Sequence, residues 1–97
     1  MTKYNIPDII INEIIAFARI NGVHKVILFG SRARGDNGER SDIDIAVSGG
    51  DVESFYWNIK EKTHTLLMFD IVEMDKGISE ELQKEIERDG ITIYEKA

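Results

Sequence analysis

The spacing of apolar residues along the chain predicts three helices. Ile10, Ile14 and Phe17 recur every three or four residues, which places them on one face of a helix. Asn21 and Gly22 follow as a helix stop signal. We expect helices over residues 7–20, 52–62 and 79–89.

Four segments rich in β-formers lie between and after these helices. In the second of them the residues alternate strictly, so that Asp42 and Asp44 point to one face of a strand and the isoleucines to the other. A short helix opening at Ser31 is expected after the first strand. The predicted strands cover residues 23–29, 42–48, 66–74 and 91–94. This order of helices and strands predicts one α/β domain over residues 1–97.

Composition excludes several classes of protein. The chain has 97 residues, no cysteine and one proline, which argues against a disulfide scaffold, a zinc ribbon and long disorder. Apolar runs such as residues 26–29 are far shorter than the roughly 20 residues that span a bilayer. No N-terminal stretch resembles a signal peptide. We therefore expect a cytoplasmic protein with one modest core and no contact with a membrane.

Charge is unevenly distributed along the chain. The formal net charge is −6, which argues against binding to duplex nucleic acid. Residues 19–40 nevertheless contain five basic and two acidic residues, for a local charge of +3. This segment could still bind one small polyphosphate.

Candidate chemistry is concentrated in three features. Gly30 and Ser31 stand where the first strand ends, Asp42 and Asp44 share a face of the second strand, and Asp70 interrupts an apolar strand. Taken singly, the first feature is most simply a turn and the second the solvated face of a strand. Asp70 is more informative, because an ionised carboxylate among apolar residues is costly unless it is paired or bound.

Together, the three aspartates suit magnesium. Mg²⁺ prefers hard oxygen ligands at roughly 2.1 Å and usually shares carboxylates with substrate phosphates. Two carboxylates from alternate positions of one strand, with a third from a neighbouring strand, would form a two-metal site. In such a site one ion activates the attacking oxygen and the other stabilises the leaving phosphate.

The glycine-containing loop offers groups for the phosphates. Gly30 would let the backbone approach a phosphate closely, and Ser31 could present its hydroxyl and N–H at a helix N-terminus. Arg32, Arg34 and Arg40 offer positive charge for the same triphosphate, or are simply solvated.

The stretch GSRARGDNGERSDIDIAV, residues 30–47, resembles the signature of the DNA polymerase β-like nucleotidyltransferases, in which Gly-Ser is followed by Asp-x-Asp. The Ala-Arg-Gly and Ser-Asp-Ile-Asp within it are most similar to the smallest branch, the minimal nucleotidyltransferases of bacteria and archaea. Asp70, in the sequence Phe-Asp-Ile-Val, matches the third carboxylate of that branch. The resemblance covers the whole chain.

The resemblance implies an α+β fold, a small mixed β-sheet flanked by helices, and Mg²⁺-dependent transfer of AMP from ATP to a hydroxyl. Asp42 and Asp44 would ligate Mg²⁺. Asp70 would ligate a second ion and help to deprotonate the acceptor. Gly30 and Ser31 would hold the triphosphate.

The resemblance also implies a protein partner. Minimal nucleotidyltransferases typically pair with a small helical HEPN-domain protein as antitoxin to its RNase toxin, and some adenylylate a tyrosine on it. We therefore expect a protein adenylyltransferase that acts as an antitoxin in a hetero-oligomer.

Two other functions are compatible with parts of the pattern. A non-catalytic antitoxin would neutralise its partner by stoichiometric complex formation, although the intact aspartates and Gly-Ser favour the enzyme. Transfer to a small molecule such as an aminoglycoside would need an acceptor-binding domain, for which we expect no room in this chain.

Overall fold

The computed structural model, which describes residues 5–97, contains the helices and strands in the predicted order and one 3₁₀ turn that was not predicted. The helices are α1 (Asp8–Ile20), α2 (Ser31–Arg34), α3 (Val52–Lys62) and α4 (Glu80–Asp89), and the 3₁₀ turn spans Met74–Lys76. The strands are β1 (Lys25–Phe29), β2 (Ile43–Ser48), β3 (Phe69–Glu73) and β4 (Ile91–Glu95). Within residues 5–97, no helix has the length and apolar character needed to cross a membrane.

Side-chain caps fix where α3 and α4 begin. The Asp51 carboxylate accepts a hydrogen bond from the Ser54 N–H at 3.1 Å, and the Ser79 hydroxyl accepts one from the Leu82 N–H at 3.1 Å. Each bond satisfies an N–H group that has no partner within its helix. Ser79 is therefore the cap of α4, whose first helical residue is Glu80.

The four strands form one mixed sheet in the order β3-β2-β1-β4. β1 is antiparallel to both of its neighbours, β2 and β4, whereas β2 and β3 are parallel. Parallel neighbours need a crossover, and α3 supplies it between β2 and β3. The expected α+β architecture of a small mixed sheet flanked by helices is confirmed.

Helices cover both faces of this sheet. α1 and α3 pack on one face, against a core that includes Ile43, Ile45 and Val47 of β2. α4 packs on the other face, where Ile86 contacts a smaller cluster that contains Ala46. The predicted alternation is therefore confirmed within β2, but the strand begins at Ile43 rather than at residue 42, so Asp42 lies directly before it.

β3 is shorter than the predicted strand over residues 66–74. It begins at Phe69, which pairs with Ile43, the first residue of β2. The residues before Phe69 therefore have no β2 residue to pair with in a ladder. The chain turns there instead, and the Leu67 N–H donates to the Thr65 hydroxyl at 3.1 Å. Asp70 is consequently the second residue of β3 and lies at its beginning.

Candidate active site

Asp44 and Asp70 lie side by side on neighbouring strands. The parallel register of β2 and β3 pairs the two residues. Both side chains lie on the α4 face of the sheet, because Ala46 and Val72, two residues further along each strand, belong to the cluster under that helix. Asp44 is half-buried and Asp70 is exposed. The fold thus brings together carboxylates that are 26 residues apart in the sequence.

Asp44 lies in a strongly negative environment. Burial is the largest cause that raises the pKa of Asp44, which reaches about 6. The negative charges around it raise this pKa further, and they belong to Asp70, Asp42 and Glu85. The positive charge of Arg34 opposes them. A cation bound beside Asp44 would favour its ionised form.

The donor chemistry of this cluster fits magnesium. Asp42, Asp44 and Asp70 offer only hard carboxylate oxygens, and Mg²⁺ is usually held by one or two carboxylates together with substrate phosphates. Within the described part of the chain, no three Asp, Glu, His or Cys side chains are placed so that they alone could hold a metal ion. The residues therefore suit an ion shared with a bound phosphate better than a protein-only metal site.

Gly30 lies directly against the Asp44 carboxylate. It follows the last residue of β1, Phe29, which pairs with Asp44 across the sheet. Its φ of +74° is a conformation that L side chains rarely adopt. A Cβ at this position would overlap Oδ2 of Asp44. A glycine is therefore required here both for the turn and for the space that the carboxylate occupies.

Ser31 is the first residue of α2, immediately after this glycine. α2 is a single turn in which the N–H groups of Ala33 and Arg34 donate to the Gly30 carbonyl, each at 3.1 Å. The N–H groups of the first helical residues have no carbonyl acceptor inside their own helix. Ser31, which is half-buried, is thus placed with its hydroxyl and backbone N–H at the same turn as Gly30.

Arg32 has a different role from the one predicted. Its side chain is buried, and its guanidinium donates to backbone carbonyls of the loop after α2 and of the segment before α1. The acceptors are the carbonyl oxygens of Asn5 at 2.6 Å, Ser41 at 3.0 Å, Glu39 at 3.1 Å and Gly38 at 3.5 Å. With its donors used in this way, Arg32 is not available to a phosphate, and it holds in place the loop that leads into Asp42.

Arg34 stands at the rim of the carboxylate cluster. Its guanidinium pairs with Asp36 at 3.1 Å and with Asp89, at the end of α4, at 3.2 Å. Asp89 is also bound by Arg88 at 2.9 Å, and hydrogen bonds from these two arginines lower the pKa of Asp89. Arg34 is exposed and its charge acts on Asp44, so Arg34, unlike Arg32, can still reach an anion at this site.

Sequence reasoning missed two acidic residues of α4. Glu85 adds to the negative field at Asp44, and Asp89 holds Arg34 at the rim. The two are four residues apart, a spacing that places both on one face of a helix. The four-residue spacing was visible in the sequence and indicated a shared helix face. The sequence did not indicate that α4 would lie over the strands that carry the aspartates.

The chain matches a protein family along most of its length. The family model described as "Polymerase beta, Nucleotidyltransferase" matches residues 12–97. Among curated proteins, no match was found.

Solved structures with the same fold include toxin–antitoxin complexes. A crystal structure of a toxin–antitoxin with AMP-PNP has a TM-score of 0.69 and 27% identity, over 89% of this chain and 73% of the other. A variant of such a complex, with two Asp→Glu substitutions, has a TM-score of 0.69 and 25% identity over the same shares. The MntA–HepT toxin–antitoxin complex, at 23% identity and a TM-score of 0.63 over 93% of this chain and 74% of the other, shows likeness of fold alone.

Proposed function

The chain belongs to the polymerase beta nucleotidyltransferase family, and we propose that it transfers AMP from ATP to a hydroxyl of a toxin partner, thereby acting as an antitoxin. The partner class we propose is a HEPN-domain protein, with a tyrosine as the acceptor. The observation that carries the proposal is the pairing of Asp44 with Asp70 beside Gly30, at one edge of the carboxylate cluster.

The similar structures support an adenine nucleotide and a toxin partner. One of them is a toxin–antitoxin with AMP-PNP, an ATP analogue. In another, the two substituted aspartates are separated by one residue, the same spacing as Asp42 and Asp44. These parallels favour ATP as the substrate and the aspartate pair as functional residues in this chain.

The proposed reaction is a displacement at the α-phosphorus of ATP. The acceptor hydroxyl oxygen forms a bond to that phosphorus, and the bond from the phosphorus to the oxygen bridging to the β-phosphate breaks. Pyrophosphate leaves, and the hydroxyl proton passes to Asp70, which is exposed and therefore accessible to the acceptor.

The remaining residues bind and orient the nucleotide. Asp42, Asp44 and Asp70 would hold two Mg²⁺ ions, which supply charge stabilisation at the attacking and leaving oxygens. Gly30 keeps the β1–α2 turn free of a side chain, and Ser31 offers its hydroxyl and N–H to the triphosphate. Arg34 adds a positive charge at the rim of the same site.

Transfer of label from ATP tests this proposal. The protein is incubated with Mg²⁺, ATP labelled at either the α- or the γ-phosphate, and the protein encoded by the neighbouring gene. We expect label on that protein only from the α-position. Asp44→Asn and Asp70→Asn should each lower the rate by about 100-fold or more, since they remove a metal ligand or the proton acceptor.

A control variant separates the site from general charge effects. Glu81→Gln removes a carboxylate from α4 that is exposed and makes no ion pair among residues 5–97. It should transfer at the wild-type rate. If wild type transfers nothing and Asp44→Asn still neutralises the toxin, the protein acts by stoichiometric binding and the enzymatic proposal is wrong.

A further inference from the structure

An exposed apolar surface borders the carboxylate cluster. Leu66 is fully exposed, with a relative accessibility of 102%, and Met68 is 64% exposed. Together with Leu67 and Arg40 they line a depression of about 490 Å³. Isolated exposed apolar residues are common on proteins, but a contiguous apolar patch with a polar rim is typical of an interaction site.

This surface is fixed to the end of the sheet that carries the aspartates. The Met68 carbonyl accepts a hydrogen bond from the Ile43 N–H at 2.9 Å, which ties the segment to the start of β2. Ile43 follows Asp42, and Met68 is two residues from Asp70. The apolar segment therefore lies directly beside the strand ends that carry Asp42 and Asp70.

The position of Asp70 indicates what covers the surface. An acceptor hydroxyl that gives its proton to Asp70 must approach the exposed beginning of β3. A protein that carries this hydroxyl has a surface much larger than the hydroxyl itself, so it must also cover the residues next to Asp70. Leu66 and Met68 are such residues, and their burial by the acceptor would contribute binding free energy.

Charge adds a second constraint on the partner. Arg40 is exposed and makes no ion pair within residues 5–97, although it lines the same depression. An exposed charge at the rim of an interface mainly accelerates association with a partner of opposite charge. The surface therefore fits a protein with apolar side chains opposite Leu66 and Met68 and an acidic side chain opposite Arg40.

We infer that Arg40, Leu66 and Met68 form the docking surface for the acceptor protein. We name these three residues the acceptor surface. The inference rests on the proposed function, because it takes the acceptor to be a protein whose hydroxyl reaches Asp70.

Kinetics with the protein encoded by the neighbouring gene test the inference. In the double variant Leu66→Ser/Met68→Ser, the KM for that protein should rise about 10- to 30-fold, the effect of losing strong interface contacts. The KM for ATP should stay unchanged, since neither side chain belongs to the nucleotide site. Arg40→Ala should slow association and reduce its dependence on salt concentration.

Ile20→Ser is the matched control. Ile20 is 74% exposed and lies at the end of α1, next to the beginning of β1, whereas Asp44 pairs with the last residue of β1. Loss of an exposed isoleucine at the end of the sheet opposite the aspartates should leave the KM for the acceptor protein at its wild-type value. An equal rise of this KM in Ile20→Ser and in the Leu66→Ser/Met68→Ser variant would overturn the inference.

The remaining outcomes distinguish failure of the acceptor surface from failure of the catalytic proposal. If wild type transfers AMP and the Leu66→Ser/Met68→Ser variant has an unchanged KM for the acceptor, the inference is wrong while the enzyme stands. If wild type transfers nothing, calorimetric titration with the same protein tests whether Leu66 and Met68 are needed to bind it. Binding that is lost in the double variant supports the surface, and unchanged or absent binding overturns it. Self-association of the chain that is lost in the double variant would instead assign the surface to a second copy.

Discussion

Asp44 and Asp70 are register partners on two parallel strands, and the half-buried Asp44 carboxylate also touches Gly30. Burial opposes the ionisation of Asp44, and the negative charge of the neighbouring Asp70 adds to the effect. Such an arrangement is unfavourable for the fold, and a bound cation would offset this cost. Residues that bind ligand often reduce stability in this way.

The first prediction is that Asp44→Asn stabilises the protein in the absence of metal. The substitution removes a half-buried negative charge from a cluster of like charges. At pH 7 we expect a gain of about 1 kcal/mol, less than the full pKa shift would imply because solvent screens part of it, and a rise in Tm of about 4–8 °C. Thermal unfolding in EDTA measures this. An unchanged or lower Tm would show that the cluster is not repulsive.

The pH dependence of the same pair of proteins gives the second prediction. The folded-state pKa of Asp44, about 6, lies above its ordinary value of 3.8, so the folded protein binds this proton more tightly than the unfolded chain does. This contribution to stability is therefore present at low pH and lost as the pH rises from about 4 to 6. The difference in unfolding free energy between wild type and Asp44→Asn should widen over that interval and stay level above it. A difference independent of pH contradicts the assigned cause.

The third prediction concerns Gly30. Gly30→Ala should destabilise the protein by about 1–3 kcal/mol because of backbone strain, and more because its Cβ overlaps the Asp44 carboxylate. Gly22→Ala is the matched control, since Gly22 has a similar φ of +67° but nothing within 4 Å of an added Cβ. Both variants should lose stability in urea unfolding, but only Gly30→Ala should lose transfer. Loss of transfer in both would mean that strain alone explains the effect.

The fourth prediction separates the roles of Arg32 and Arg34. Arg32→Ala leaves several backbone carbonyls without their donor and should destabilise the fold by about 3 kcal/mol. Arg32→Lys should not restore this stability, because an ammonium cannot donate to all these carbonyls at once. Arg34→Ala removes an exposed guanidinium while Arg88 still pairs with Asp89, so it should change stability by less than about 0.5 kcal/mol. Equal stability of the Arg32 and Arg34 variants would refute the structural role of Arg32.

The fifth prediction is that Arg34 acts on the nucleotide. Arg34→Ala should raise the KM for ATP about tenfold, the typical effect of losing one charge-assisted hydrogen bond. Arg88→Ala is the control, since Arg88 binds the same carboxylate of Asp89 as Arg34 does. It should leave the KM for ATP within about twofold of wild type. An ATP KM that rises equally in both variants would point to Asp89 rather than to Arg34.

Much of the fold was predictable because it depends on local patterns. The alternation within residues 42–48 correctly predicted which side of β2 carries Asp44. The 66–74 strand was predicted too long because its length depends on β2, whose first residue, Ile43, pairs with Phe69. An apolar segment does not reveal whether a partner strand extends beside it.

The site was predictable in its residue types but not in its contacts. The α3 crossover accounts for the parallel orientation of β2 and β3, but a sequence pattern does not specify the register that pairs Asp44 with Asp70. Arg32 and Arg34 are alike in sequence and only two residues apart. Their different roles depend on loop carbonyls and on Asp89, which come from distant parts of the chain.

Counting bound metal ions tests whether the aspartates bind divalent cations together with a nucleoside triphosphate. Mn²⁺ can replace Mg²⁺ as the probe, and its binding to the chain in the presence of AMP-PNP can be followed by electron paramagnetic resonance. We expect about two bound ions per chain for wild type, fewer for Asp44→Asn and Asp70→Asn, and wild-type binding for Glu81→Gln. Binding that is absent in wild type, or unchanged in both aspartate variants, would contradict this expectation.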